Sequence, residues 1–397
     1  MSDIIDTLVG HHLPARDARP QAVANAQLAF EALLENELPE RYAIAAFVAG
    51  LHQSSAVEFY VDLLADENPE LVEPIRAQIA AGLSTGPVGT YREPELAAES
   101  DDAFWFHAAD VPPRLAAALD YAHLLVFHPR DCRPETISGV AAYYDETEIV
   151  LISQLISFLA FQLHLVEGLR VLDGTAEQPR ADRKVGGEWG VAKHARVLDY
   201  PELARPTRFV RHGLGWQPWI APLEKTELTE EHLDALIRPE RADSPYFRLL
   251  VRAPEALKAR TLVDLDIFYN TDTGIGRAER ELAATVASRF NGCVFCASVH
   301  AGRAVAESTG READIDRLLA DGPAADLGSD LWNAIATFTR ALSATPAQLT
   351  PFHVKQLRDL GLSDIDLVDI IGAAAFFNWA NRLMLALGEP ELPKRYR

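Results

Sequence analysis

The sequence is poor in cysteine and in positive charge. Its 397 residues include three cysteines, 37 lysines and arginines, and 58 aspartates and glutamates, for a formal net charge of −21. Three cysteines are too few for the disulfide framework of a small secreted domain. A charge of this sign repels nucleic-acid phosphates and anionic lipid headgroups. We therefore expect neither a nucleic-acid partner nor a membrane partner.

Long apolar runs and a signal-like start are also missing. No stretch approaches the ~20 uninterrupted apolar residues of a membrane span. The start, Met1-Ser2-Asp3, does not lead from basic residues into an apolar segment, as a secretory signal does. We expect a cytoplasmic protein. Its 48% hydrophobic content suits globular packing, and its length predicts two domains rather than one.

Alternating polar and apolar runs bounded by Asn-Gly or Asp-Gly turns are scarce, and helical periodicity dominates instead. The apolar segments with helical spacing are 41–64, 148–172, 277–290, 293–308, 329–342 and 364–387. The pattern predicts an all-α fold.

Residues 174–205 are rich in glycine, proline and charge and show no sustained periodicity. This composition predicts a linker between a first domain, 1–173, and a second domain, 206–397.

The two predicted domains repeat each other. With Glu148 aligned on Asp366, the apolar helix of the first domain lies over that of the second without a gap. Further upstream, the first repeat has serine and valine opposite Cys293 and Cys296, so only the second repeat carries a cysteine pair. We therefore predict that the first repeat is chemically degenerate.

Four residues of the second repeat form the candidate catalytic set. At ~100° per residue, Cys293, Cys296 and His300 share one stripe of a helix. An Asn-Gly pair ends the preceding helix and places Cys293 in the first turn of the next, where the helix dipole favours a thiolate. Glu281, on the preceding helix, is positioned to fold back towards His300. The set predicts two thiols beside a proton relay.

Structural and metal-binding interpretations of the same residues stay open. The two cysteines are also compatible with small buried hydrophobic residues, or with a zinc site completed by His300 and Glu281. Haem attachment is excluded because Ala297 stands where that motif needs a histidine. Cys132 has no partner nearby in sequence, and we assign it no role. We expect no metal and no cofactor. No glycine-rich nucleotide-binding fingerprint is present, so a disulfide formed here needs an external reductant.

The pattern Glu-x11-Cys-x2-Cys-x3-His resembles the active-site motif of the alkylhydroperoxidase D and carboxymuconolactone decarboxylase-like superfamily. The segments SRFNGCVFCASVHA and FFNWANRL are similar to its peroxidase-related branch. The N-terminal repeat, with its GPVGTY loop, is similar to the cysteine-free decarboxylase-type domain. The resemblance implies an all-α tandem of two alkylhydroperoxidase D-like domains, the first one degenerate.

The resemblance also implies roles for the four residues. Cys296 attacks a hydroperoxide, Cys293 resolves the sulfenic acid into a disulfide, and His300 and Glu281 manage protons. Phe295 departs from the resemblance, because the hydroperoxidase has a histidine there. The implied partners are a small, preferably organic hydroperoxide, an external dithiol reductant of protein or lipoyl type, and further copies of the chain in a homo-oligomer.

Two other functions compete with a thiol peroxidase. One is a lyase or isomerase that acts on a small carboxylate, as in the decarboxylase branch, although that branch does not use a cysteine pair. The other is a non-enzymatic redox-sensing protein whose disulfide changes its assembly.

Overall fold

The computed structural model describes residues 3–176, 181–190 and 193–397 and is predominantly helical. Its α-helices in chain order are α1 (Ile4–Val9), α2 (Pro20–Leu34), α3 (Arg41–Leu51), α4 (Val57–Glu67), α5 (Val72–Gly82), α6 (Pro113–Phe127), α7 (Pro134–Ala141), α8 (Glu146–Asp173), α9 (Glu230–Ala235), α10 (Pro245–Leu250), α11 (Pro254–Tyr269), α12 (Arg277–Asn291), α13 (Val294–Glu307), α14 (Glu312–Asp321), α15 (Asp330–Ser343), α16 (Pro351–Asp359) and α17 (Asp364–Leu387). Strands β1 (Gly215–Pro218) and β2 (Gly388–Glu391) pair antiparallel, with Gly215 opposite Glu391. The all-α prediction is confirmed.

The two longest helices, α8 and α17, begin in the same way. The Asp145 side chain accepts a hydrogen bond from the backbone N–H of Glu148, and Ser363 does the same for Asp366. These capping boxes satisfy N–H groups that the first helical turn leaves without partners. Glu148 and Asp366 thus occupy equivalent helix positions, in the register of the sequence repeat.

The order of helices along the chain is similar in the two halves. In the N-terminal half (α1–α8), α3 to α7 lead to a long helix, and in the C-terminal half (α9–α17), α12 to α16 do the same. Across the molecule α2 packs on α11 and α8 packs on α17. Both halves therefore contribute to one continuous hydrophobic core.

Aromatic and charged contacts join the halves. The Trp379 ring of α17 lies 5.5 Å from Phe161 of α8, centroid to centroid. Arg19 forms an ion pair of 2.8 Å with Asp369. Arg382 is fully buried, donates to backbone carbonyls of the N-terminal half, and has its pKa lowered to about 9 by burial. The centre of the molecule is therefore shared by the two halves.

By length and composition alone, α8 and α17 are apolar enough to cross a membrane. Neither helix is an uninterrupted run of apolar residues, so the sequence pattern did not indicate a membrane span. In the structure 94% and 89% of their most apolar windows are buried inside the protein, as in the core helices of soluble proteins.

Part of the predicted linker, 177–180 and 191–192, lies outside the described residues. The described part runs along the N-terminal half, where Gly186 pairs with Phe104 and Trp189 packs on Trp105. The division into domains at 174–205 stays a prediction.

Candidate active site

A left-handed glycine sets the break between α12 and α13. α12 ends at Asn291, and Gly292 follows with φ +84°. A Cβ atom at Gly292 would lie 2.5 Å from the side chain of Arg130, so both the dihedral angle and the space favour glycine. Cys293 follows as the N-cap of α13, with extended backbone, one residue before the first helical turn.

Both thiols of the pair are free and buried. Cys293 is 1% exposed and Cys296 is 5% exposed. Burial, followed by the neighbouring Cys296 thiol, raises the pKa of Cys293 well above its ordinary value. This direction is opposite to the thiolate that the sequence predicts at Cys293, because burial disfavours the charged form of the thiol.

Glu281 reaches His300 from the preceding helix. Its Oε2 atom lies 2.6 Å from Nδ1 of His300, and its Oε1 atom accepts bonds of 3.2 Å from Nε and Nη2 of Arg277. Glu281 is 1% exposed, so this hydrogen bond lies in a desolvated setting. With Nδ1 directed at the carboxylate, Nε2 is the imidazole nitrogen left for a reacting group. Arg277 was not predicted, although its place four residues before Glu281 is a recognisable signal.

The reactive groups open into a cavity of about 470 Å³. Cys296 and His300 line it, whereas Cys293 and Glu281 are not among its lining residues. Its aromatic lining consists of Trp216, Tyr246, Phe247, Tyr269, Phe295, Phe376 and Phe377. Tyr269 and Val299, which are 51% and 44% exposed, mark its mouth. The cavity has the size and apolar character of a small-molecule site.

Several polar lining residues were not predicted from the sequence, among them Arg260, Asp264 and Tyr246. Arg260 and Asp264 stand four residues apart on α11, a spacing that in sequence is the same as that of a surface ion pair. No sequence signal distinguishes them, because only the fold turns this face of α11 towards Cys296.

The corresponding junction of the N-terminal half, between α3 and α4, holds no thiol. His52 packs edge-on against His164 there, with ring centroids 5.0 Å apart, beside a space of about 20 Å³. Burial lowers the pKa of His52 and takes that of His164 to about 4, so both rings are neutral at pH 7. Cys132 is buried elsewhere and does not line the cavity.

Across residues 3–176, 181–190 and 193–397, no cluster of three or more histidine, cysteine, aspartate or glutamate side chains has the arrangement of a metal site. Both carboxylate oxygens of Glu281 are already engaged, by His300 and Arg277. The four residues of the zinc alternative are therefore not arranged as a ligand set.

Residues 254–341 match the sequence model of the carboxymuconolactone decarboxylase family. The match runs from α11 into α15, so it contains Glu281, both cysteines of the pair and His300. No curated protein matches the chain. The family match confirms the resemblance at the level of the superfamily. Residues 254–341, in the C-terminal half of the chain, are thus similar to the carboxymuconolactone decarboxylase family.

Proposed function

We propose that the protein is a thiol-dependent peroxidase that reduces organic hydroperoxides through Cys296 and Cys293. One observation carries the proposal: Cys296 and His300 open together into an aromatic cavity, with a carboxylate on the far nitrogen of the imidazole. A thiol beside an oriented imidazole is the arrangement that activates sulfur nucleophiles.

The first step oxidises Cys296. The Cys296 thiol gives its proton to Nε2 of His300, while Glu281 holds Nδ1 and stabilises the imidazolium that forms. The thiolate attacks the terminal oxygen of the hydroperoxide, and the O–O bond breaks. Cys296 becomes a sulfenic acid, and the leaving alkoxide takes the proton from His300 to become the alcohol.

The second step forms a disulfide. The Cys293 sulfur attacks the sulfenic sulfur of Cys296, the S–O bond breaks, and the hydroxide leaves as water with the Cys293 proton. The raised pKa of Cys293 suits this order, because the buried thiol stays protonated until a sulfenic acid stands beside it. An external dithiol then reduces the disulfide by thiol–disulfide exchange.

Steady-state turnover tests the proposal. Wild-type protein supplied with dihydrolipoamide and cumene hydroperoxide should consume both in equal amounts, and Cys296→Ser should lose this turnover. Cys132→Ser, which changes the cysteine outside the cavity, is the matched control and should turn over normally. A wild-type rate equal to that of Cys296→Ser would reject the peroxidase.

A lyase or isomerase acting on a small carboxylate is the second candidate, favoured by the family match at 254–341. It predicts that a Cys293→Ser, Cys296→Ser double variant retains full activity on such a substrate. Loss of that activity together with the thiols would exclude it.

A further inference from the structure

Arg260 is a buried cation that makes no hydrogen bond to the residues that the structure describes. It lines the cavity that holds Cys296 and His300, and only 7% of it is exposed. Its Nε atom is buried with no acceptor in the described part of the chain. A guanidinium carries five N–H donors in a planar fork, and burying even one of them without an acceptor is unfavourable. The cavity therefore leaves a donor of Arg260 without an acceptor.

The other buried arginines show how this protein normally satisfies such groups. In the described ranges, each of them donates to a carboxylate or to backbone carbonyls: Arg16, Arg19, Arg280, Arg289 and Arg382. Arg260 instead lies among aromatic rings, 5.1 Å from the ring centroid of Phe376 and 5.9 Å from that of Trp379. Aromatic rings contact the face of a guanidinium through cation–π interactions and leave its in-plane N–H donors available.

Two further polar residues line the same cavity. The Tyr246 hydroxyl is buried and has no hydrogen-bond partner among the described residues. Burial raises the pKa of Tyr246 to about 12, so it remains a donor. Asp264 lies one turn along α11 from Arg260; burial raises the pKa of this carboxyl group, and Arg260 opposes that rise. An anionic ligand therefore competes with the Asp264 carboxylate for the positive charge of Arg260.

We infer that Arg260 binds the carboxylate of the substrate, so that the preferred hydroperoxides are those of carboxylic acids with an apolar or aromatic body. The peroxide part of this inference rests on the proposed peroxidase, whereas the carboxylate part rests on Arg260 alone. A planar guanidinium matches a carboxylate with two parallel hydrogen bonds. A cavity of about 470 Å³ accommodates an apolar body between Arg260 and the pair Cys296 and His300.

Equilibrium binding of a redox-inert pair of probes tests the carboxylate site. Calorimetry on the reduced wild-type protein should show that 4-phenylbutanoate binds at least about tenfold more tightly than the neutral 4-phenylbutanamide. Arg260→Gln should abolish this preference. Arg303→Gln, which removes an exposed guanidinium from α13, should keep it. Equal affinities in the wild type, or a preference that persists in Arg260→Gln, would overturn the inference.

A stability measurement separates a binding role from a structural one. An unpaired buried guanidinium contributes little to folding, so Arg260→Met should melt at or above the wild-type temperature while losing the carboxylate preference. A clear fall in Tm would show that Arg260 holds the fold instead.

The peroxidase and the carboxylate site can fail separately. Thiol loss with cumene hydroperoxide, which is neutral, depends on Cys296 and not on an anion site. If the thiols persist while 4-phenylbutanoate is preferred, the carboxylate site stands without the peroxidase. If the thiols are lost and neither probe is preferred, the peroxidase stands and the carboxylate site is rejected.

Discussion

At the scale of single residues, the two neighbouring thiols should differ in reactivity. The pKa of Cys293 is raised well above its ordinary value, so at a given pH it has less thiolate than an ordinary cysteine, and its thiolate appears only as the pH rises. Cys296 also lines the cavity, whereas Cys293 does not. We expect iodoacetamide at pH 8 to label Cys296 before Cys293, as measured by peptide mass spectrometry. Labelling of Cys293 first would contradict the assignment.

The carboxylate of Glu281 should matter for the rate of the first oxidation. Glu281→Gln keeps a hydrogen-bond acceptor near Nδ1 of His300 but removes the charge that stabilises the imidazolium. We expect sulfenic acid formation at Cys296, followed by stopped flow, to slow by about 10- to 100-fold.

Glu307→Gln is the matched control for that charge. It removes the second carboxylate partner of Arg277, 3.4 Å away, without touching His300. It should react at nearly the wild-type rate, and equal slowing by the two variants would indicate a general electrostatic effect.

Asp264 provides a further test of charge in the cavity. Asp264→Asn removes the carboxylate that opposes an incoming anion near Arg260. We expect 4-phenylbutanoate to bind several-fold more tightly to this variant in calorimetry. Weaker binding would mean that Asp264 supports the ligand rather than repels it.

At the scale of secondary-structure elements, the joint between α12 and α13 should be sensitive to the volume of one residue. Gly292→Ala introduces a Cβ at φ +84° and a contact of 2.5 Å with the Arg130 side chain. Gly310→Ala, at φ +74°, meets nothing within 4 Å and bears only the backbone cost. We expect urea unfolding to show a loss of about 1 kcal/mol for Gly310→Ala and about 2 to 3 kcal/mol for Gly292→Ala. Equal losses would contradict the steric argument.

Much of this joint was predictable, because local chemistry determines it. An Asn-Gly pair is a common helix end, and the spacing of Cys296 and His300 places both on one face of the next helix. The raised pKa of Cys293 and the presence of Arg260 in the cavity were not predictable. Both depend on which helices cover α13, and helix periodicity does not encode that.

At the scale of the whole molecule, the two halves should unfold together. They share the core between α8 and α17, where Phe161 packs on Trp379. We expect fluorescence and circular dichroism to follow one cooperative urea transition. Phe161→Ala should shift that single transition by about 3 to 5 kcal/mol. Two separated transitions would show that the predicted domains, 1–173 and 206–397, are independent.

The alignment of Glu148 on Asp366 could be made from the sequence because apolar periodicity is a local feature of α8 and α17, and the capping boxes of the two helices have the same register. The burial of Arg382 under the N-terminal half was not visible, because it arises from contacts between residues about 256 positions apart. The expected homo-oligomer, the dithiol reductant and the cytoplasmic location stay predictions.

Disulfide mapping after a single oxidation tests the proposed peroxidase most directly. Reduced protein is mixed with one equivalent of cumene hydroperoxide, and its free thiols and peptides are then analysed by mass spectrometry. We expect a disulfide to join Cys293 to Cys296, Cys132 to stay free, and Cys296→Ser to form no disulfide. Persistence of both free thiols in the wild-type protein would contradict it.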